Sequence, residues 1–383
     1  MKIVILSITL ITLFYSTLCF AQNEYPFNES SGGNGIRAYW YNVPQDSVKM
    51  EIFNQNFQFQ SSLQIYGKTP GDSFQVHAAV YSKSGEKIYV GDFDLIKGQA
   101  KKSFSAQFNG NFFSLECPVE YLTENPDRII VTVKSADDEI TQEIKCRYQR
   151  LFGHVSDYDG KPFEGIVSIS PEAFISGTAI KCDSSGNYDI EVPERTYNSV
   201  ICFAGSYGIS TLEVWAWHII MDSEQRLDFT VGTGEVYNLN VWPNNGGPNT
   251  YFISFRPMVL PFTQNTNITE LLENIPKYPI TINNDEFQVE GETFDLEPED
   301  INVWINGKEV QIISLQKYFE TGKNKAQISY IAQVSREGLS RTGKQTVKVE
   351  FETDIEKDGK KVRRSSMGYY QLNLNFTGLS YFN

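Results

Sequence analysis

The chain has 383 residues, a formal net charge of −14 and 14% aromatic residues. This length is too great for one small sandwich and suits two to four domains. The acidic balance disfavours nucleic acids and anionic membrane surfaces as partners, because both are negatively charged.

The N-terminus has the pattern of a secretory signal peptide. Lys2 precedes a mostly apolar run from Ile3 to Phe14, and the small residue Ala21 stands before Gln22. The run is shorter than the about 20 residues that a membrane span needs. We therefore predict a signal peptide at residues 1–21, cleaved after Ala21, and a flexible leader at residues 22–35. No later stretch is apolar enough to cross a bilayer, so the protein is expected in the periplasm, at the cell surface or outside the cell.

Cysteine usage fits an exported chain. A lipoprotein signal would acylate Cys19, but Leu18 stands before it where a small residue is expected. An even number of cysteines follows the predicted cleavage site, which permits disulfides in three connectivities. The spacing favours pairing within domains, and buried free thiols are the open alternative. The four disulfide candidates are Cys117, Cys146, Cys182 and Cys202.

Residues 36–148 are dense in strand signals. Runs rich in β-branched and aromatic residues follow one another, and several alternate with period two as half-buried strands do. Short turns such as Ser84-Gly85 separate them. About eight strands without a long helix predict an immunoglobulin-like sandwich. Within its first strand, Tyr39, Trp40 and Tyr41 are candidate ligand-binding residues, since exposed rings stack on sugars; rings that fill a core are the alternative.

Residues 149–234 form the second predicted domain, with Asp-Gly and Ser-Gly turns between short apolar runs. The segment resembles the carboxypeptidase regulatory-like module, a seven-stranded transthyretin-like sandwich. That resemblance implies an accessory unit of an exported protein and says little about function. It rests on Gly153, Val155, Asp157, Gly160, Pro162, Gly165, Val167, Asp183, Gly186, Tyr188, Ile190, Val192 and Pro193.

A second aromatic pair lies near the end of this domain. Alternation places Trp215 and Trp217 on one face of a strand and Val214 and Ala216 on the other. Two large rings on one face either fill a core or form an exposed platform for a ligand, and we include both tryptophans among the ligand-binding candidates.

Residues 235–383 are predicted to form a C-terminal immunoglobulin-like domain. Asn306-Gly307 between apolar runs is the strongest hairpin signal in the chain. Residues 268–275 are the one stretch expected to form a short helix. An acidic run near residues 285–300 is interpreted as a solvated linker; calcium binding is the alternative, although the ligand spacing of a calcium loop is absent.

No catalytic motif is found in the sequence. His77, His154 and His218 each lie in a strand-like run and open no zinc-binding pattern. We therefore predict no catalytic residue, no metal site and no cofactor.

The sequence favours an all-β protein of tandem β-sandwich domains that acts without catalysis as an exported binding or structural component. The expected partner is a polysaccharide or a cell-surface protein. The alternative is a secreted glycosidase-type hydrolase with an unrecognised pair of carboxylates. The oligomeric state is not predicted.

Overall fold

The computed structural model describes much of the chain after residue 36, and all described residues belong to the unit Gly32–Asn383. Before Ser73, at residues 95–124, and at residues 268 and 357, no side chain is described. The described residues are 37–41, 50–52, 55–57, 62–68, 73–96, 99–100, 105–109, 112–118, 125–171, 178–261, 268–292, 294–340, 342–357 and 359–374.

Residues 37–145 form two larger antiparallel sheets and one small hairpin, β2-β3. The sheets have the strand orders β1-β4-β9-β8 and β11-β10-β5-β6-β7. A buried cluster around Val76 and Val131 lines one side of the second sheet. The strands are β1 Arg37–Tyr41, β2 Met50–Ile52, β3 Gln55–Phe57, β4 Ser62–Lys68, β5 Ser73–Tyr81, β6 Lys87–Ile96, β7 Gln99–Ala100, β8 Ser105–Asn109, β9 Phe112–Pro118, β10 Arg128–Lys134 and β11 Glu139–Lys145.

Eight strands that follow build a sandwich, here called the module. One sheet holds β12, β15, β18 and β19, and the other begins β14-β13-β16-β17. Their inner faces enclose a core that includes Leu151, Val200 and Phe229. The strands are β12 Tyr148–Asp157, β13 Ile166–Ser170, β14 Thr178–Lys181, β15 Asn187–Pro193, β16 Arg195–Phe203, β17 Val214–Met221, β18 Gln225–Arg226 and β19 Phe229–Val231.

The remaining strands form a second sandwich, here called the C-terminal sandwich. A six-stranded sheet contains β20, β21, β27, β23, β22 and β26, and β29, β28, β24 and β25 face it. The elements are β20 Gly234–Pro243, β21 Thr250–Val259, helix α1 Ile268–Asn274, β22 Lys277–Ile282, β23 Asp285–Glu290, a 3-10 turn Pro298–Asp300, β24 Ile301–Ile305, β25 Lys308–Glu309, β26 Ile312–Gly322, β27 Lys325–Ser335, β28 Lys344–Lys357 and β29 Lys360–Asn373.

One eight-stranded sheet belongs to both sandwiches. β17 pairs in parallel with β29, with Ala216 opposite Tyr369, so the order runs β14-β13-β16-β17-β29-β28-β24-β25. Along β29, Met367 and Tyr369 face the core of the module, whereas Tyr370 and Leu372 face the core of the C-terminal sandwich. Successive side chains on a strand point to opposite faces, so β29 is buried on both sides. The predicted domain boundaries stay predictions. The shared sheet contains strands from both sides of the predicted boundary near residue 235.

The turn chemistry of the module follows from its aspartates. Asp157 Oδ1 accepts the backbone N–H groups of Asp159 and Lys161, each at 2.9 Å. Asp183 Oδ1 accepts those of Ser185 and Asn187 in the same arrangement. A glycine with positive φ completes each turn, as the Asp-x-x-Gly spacing predicts.

The hairpin at Asn306-Gly307 is confirmed. Both residues have positive φ, 52° and 77°, and Ile305 pairs with Lys308 across the turn. This is the backbone of a type I′ turn, whose twist suits a two-residue hairpin. The short helix expected at residues 268–275 is also present, as α1.

The prediction of an acidic linker near residues 285–300 is wrong. Asp285–Glu290 is a strand of the six-stranded sheet and pairs with both β22 and β27. Lys325 Nζ contacts the Glu290 carboxylate at 2.8 Å, and Asp295 pairs with Lys317. Lysines on neighbouring elements thus balance part of this charge, which allows an acidic segment to join a sheet.

Candidate functional site

An exposed pair of aromatic rings lies on the outer side of the six-stranded sheet. Trp242 on β20 pairs directly with Phe252 on β21, and their ring centroids are 5.9 Å apart with 26° between the planes. Their chain neighbours Val241 and Ile253 point into the core. Trp242 therefore faces solvent, and 41% of its surface is exposed.

Small polar side chains surround the two rings. Directly paired residues share one face of a sheet, and the register pairs Gln333 with Phe252 and Asn240 with Ser254. Eight residues defined in this way form what we call the Trp242 face. They are Asn240, Trp242, Phe252, Ser254, Ser314, Gln316, Ile331 and Gln333.

The Trp242 face combines ring surfaces with neutral hydrogen-bonding groups. None of its eight side chains carries a charge. The Asn240 amide donates to the carbonyl oxygen of Asn238 at 3.0 Å, and the Gln333 amide donates to Thr250 Oγ1 at 3.1 Å. These bonds hold the amides near the rings and leave acceptor and donor positions for a ligand. Rings beside fixed amides suit a flat, neutral, hydroxyl-rich ligand.

This face is not predicted from the sequence. Asn240 and Trp242 alternate with the apolar residues Leu239 and Val241, which predicts that the two share a side of a strand. Alternation alone does not say which side meets solvent, so Trp242 was not distinguishable from a core residue.

The predicted ligand-binding pair Trp215 and Trp217 lies between the two sandwiches. The indole rings stack with centroids 4.5 Å apart, and Tyr237 on β20 meets both rings edge-on. Trp215 is 5% exposed, and Trp217 packs against the core of the C-terminal sandwich. The ligand-binding prediction for this pair does not fit such burial, and the core interpretation is the one the structure favours. The two tryptophans are covered because the shared sheet places β17 against β20.

The other predicted ligand-binding residues lie on β1. The strand Arg37–Tyr41 contains Tyr39, Trp40 and Tyr41 and pairs with β4. Their side chains lie outside the described part of the protein, so a binding role for them stays a prediction.

A buried carboxyl group, that of Glu235, meets the partly buried one of Glu213 beside the tryptophans. Glu213 stands immediately before β17 and Glu235 is the second residue of β20, and the two side chains hydrogen-bond to each other. Glycosidase carboxyls stand about 5 Å or more apart, on either side of a sugar. Direct contact between the two carboxyls leaves no room for a sugar between them, so this pair does not support the hydrolase alternative.

The histidines make ordinary strand contacts. His77 Nδ1 lies 2.6 Å from Asp92 Oδ1 in a shallow groove of about 280 Å³ on the second N-terminal sheet, and His154 Nδ1 lies 3.3 Å from Asn187 Oδ1. His218 Nδ1 contacts the carbonyl oxygen of Gln371. Thr132, which also lines the groove, is bonded to Thr141 and makes no catalytic triad with His77. Among the described residues, no group of three metal-binding side chains is placed around one point.

The cysteines Cys146, Cys182 and Cys202 are free thiols in the structure, so neither predicted pairing is present in it. The side chain of Cys117 lies outside the described residues. Cys202 pairs with Val167 on one edge of β13, and the Cys182 N–H bonds to the Gly165 carbonyl on the other edge. Two strand spacings, about 9.5 Å, therefore separate their backbones. A disulfide needs Cα atoms within about 7 Å, which explains why the prediction for this pair fails.

No protein-family model matches the chain, and no curated protein matches it either. The resemblance to the carboxypeptidase regulatory-like module therefore stays a prediction. None of the described helices has the length and apolar character required to cross a membrane.

The solved structures that the chain is similar to include a pilus backbone protein and immunoglobulin domains. The pilus 2b backbone protein of group B streptococcus has 11% identity and a TM-score of 0.18 over 51% of this chain and 97% of that chain. The Bacillus anthracis TIE protein has 11% identity and a TM-score of 0.18 over 88% and 73%. The complex of Dpr2 Ig1-Ig2 with DIP-Theta Ig1-Ig3 has 8% identity and a TM-score of 0.14 over 87% and 99%. TM-scores this low do not show a common arrangement of the strands over the whole chain. The all-β fold class therefore rests on the strand pairing described above.

Proposed function

We propose that the protein is an exported, non-enzymatic β-sandwich protein that works in the periplasm or at the cell surface and binds a neutral polysaccharide through the Trp242 face. The observation that carries this proposal is the exposed stack of Trp242 on Phe252. Burial of a tryptophan ring stabilises a folded protein, so an exposed ring gives up that stabilisation. A ligand that covers the ring accounts for its position.

The surroundings of the rings favour a sugar over a protein partner. Central residues of protein interfaces are typically apolar and sit in pockets. On the Trp242 face, amides and hydroxyls flank the rings, as with Asn240, Ser254 and Gln333. Such groups match the hydroxyls of a sugar ring, while the aromatic faces match its C–H surface.

Charge also bears on the ligand. The protein carries a net charge of −14, which would repel an acidic polysaccharide at low ionic strength. None of the eight side chains of the Trp242 face is a cation, and Arg256, on the same side of β21 as Ser254, is paired with Glu320. Both features favour a neutral chain such as a glucan, mannan or xylan.

The test is affinity electrophoresis of the purified protein against soluble neutral and acidic polysaccharides, with an assay for released reducing ends beside it. We expect at least one neutral polysaccharide to retard the protein without release of reducing ends. Release of reducing ends would establish the hydrolase instead. If no polysaccharide retards the protein, the proposed ligand class is wrong and the search moves to protein partners.

A further inference from the structure

The carboxyl pair Glu213 and Glu235 lies in the seam where the module meets the C-terminal sandwich, with Glu213 partly buried. Glu235 is 3% exposed. Oxygen Oε2 of Glu213 is out of contact with solvent and has no hydrogen-bond partner among the described residues. The two side chains hydrogen-bond to each other, and the Glu213 backbone N–H and the Trp215 side chain also contact the pair. A carboxyl–carboxyl hydrogen bond requires a proton, because two ionised carboxylates only accept.

The groups around the pair are aromatic and aliphatic. Tyr207 contributes to the same electrostatic cluster, as does Tyr237 on β20. The apolar residues beside Tyr207 are Leu212, Leu260 and Leu271. The cation on this side of β21, Arg256, lies over the Tyr237 ring and pairs with Glu320. Its charge is therefore balanced by a carboxylate outside the pair.

Burial next to a like charge favours the protonated form of a carboxyl group. Burial raises the pKa of Glu213 to about 7, against lowering contributions from the Glu235 and Trp215 side chains. Burial and the neighbouring Glu213 carboxylate together raise the pKa of Glu235 well above its usual value. In this arrangement Glu235 donates the hydrogen bond and Glu213 accepts it.

We propose that Glu213 and Glu235 hold a shared proton at neutral pH and that this proton acts as a pH-sensitive latch between the two sandwiches. When the proton is lost, two carboxylates face each other in the seam and repel. β20 then separates from the end of β17, and Tyr237 leaves the stacked rings of Trp215 and Trp217. Mild acid strengthens the latch and alkaline conditions weaken it.

The direction in which stability changes with pH follows from proton linkage. In the unfolded chain both glutamates ionise near pH 4.3, whereas the folded protein keeps the pair protonated to higher pH. Between these values the folded state binds more protons, so stability falls as pH rises. Each extra proton raises the unfolding equilibrium constant about tenfold per pH unit.

The test compares denaturant unfolding of the full chain at several values between pH 5 and 8 with that of Glu235→Gln. The glutamine amide still donates to Glu213 but cannot lose a proton. We expect the unfolding equilibrium constant to rise with pH in the unchanged protein more steeply than in Glu235→Gln. The difference should be an additional factor of about ten per pH unit. The matched control is Glu299→Gln, which removes an exposed carboxylate and should keep the steeper slope. Equal slopes in all three proteins would overturn the proposal.

A second measurement covers the case in which Glu235→Gln fails to fold. Infrared difference spectra of the unchanged protein should show the carbonyl band of a protonated carboxylic acid at pH 7, and the band should disappear at higher pH. Exposed carboxyl groups are ionised at pH 7 and give no such band. If the band is missing at pH 7, the shared proton does not exist.

Discussion

The sulfur of Met367 lies 3.0 Å from the backbone nitrogen of Thr230, although 137 residues separate them in the chain. Met367 belongs to β29 of the C-terminal sandwich, yet it is 2% exposed and lies in the core of the module. The module is therefore incomplete without the last long strand of the protein.

This relationship gives the first prediction. Met367→Ala should destabilise the whole chain by about 2–5 kcal/mol, because it opens a cavity in a closed core. Hydrogen exchange should speed up in the module strands β12 to β19 as well as in β29. Met258→Ala is the matched control, since Met258 is 38% exposed on β21. Loss of protection confined to β29 would show that the module core does not depend on Met367.

The second prediction concerns the stacked tryptophans. Trp215→Ala should cost about 3–5 kcal/mol of unfolding free energy, because Trp215 is 5% exposed and packs on two other rings. Trp242→Ala should change stability by less than about 1 kcal/mol, because its ring is exposed. Denaturant unfolding of both variants measures the difference. Equal losses would contradict either the buried position of Trp215 or the exposed position of Trp242.

The third prediction concerns Gly153, a residue of the motif that suggested the module. A Cβ atom at Gly153 would lie 1.9 Å from the backbone carbonyl oxygen of Leu227. A backbone atom cannot move away as a side chain does, so Gly153→Ala should destabilise the module by about 3 kcal/mol or more.

Gly205→Ala is the control for Gly153→Ala in the same module, because a Cβ atom there would meet nothing within 4 Å. Thermal unfolding of the two variants measures the contrast. A midpoint for Gly153→Ala equal to that of the control would mean that β12 and the chain at Leu227 are not in close contact.

Local structure was predictable where local chemistry decides it. The hairpin at Asn306-Gly307 and the module turn at Gly186 are present as the turn residues indicate, with positive φ at each. The hairpin between β22 and β23 was missed, although Asn283 and Asn284 both have positive φ, 50° and 73°. Asparagine tolerates this conformation less well than glycine, so the pair gives a weaker signal.

The pairing of strands that are distant in the chain was not predictable from the alternation of apolar and polar residues. β17 and β29 pair across 153 positions, from Trp215 to Gly368, and no local rule specifies such a partner. This pairing buries Trp215 and brings Glu213 to Glu235. The candidate site thus depends on which strand faces meet, and alternation defines faces without assigning their partners.

The measurement that tests the central proposal most directly is affinity electrophoresis of Trp242→Ala in the neutral polysaccharide that retards the unchanged protein. Trp304→Ala serves as the control, because Trp304 is a partly buried surface tryptophan over Lys348 on the other sheet of the same sandwich. We predict that Trp242→Ala weakens binding at least about tenfold and that Trp304→Ala does not. Retardation of Trp242→Ala equal to that of the unchanged protein would contradict binding through this face.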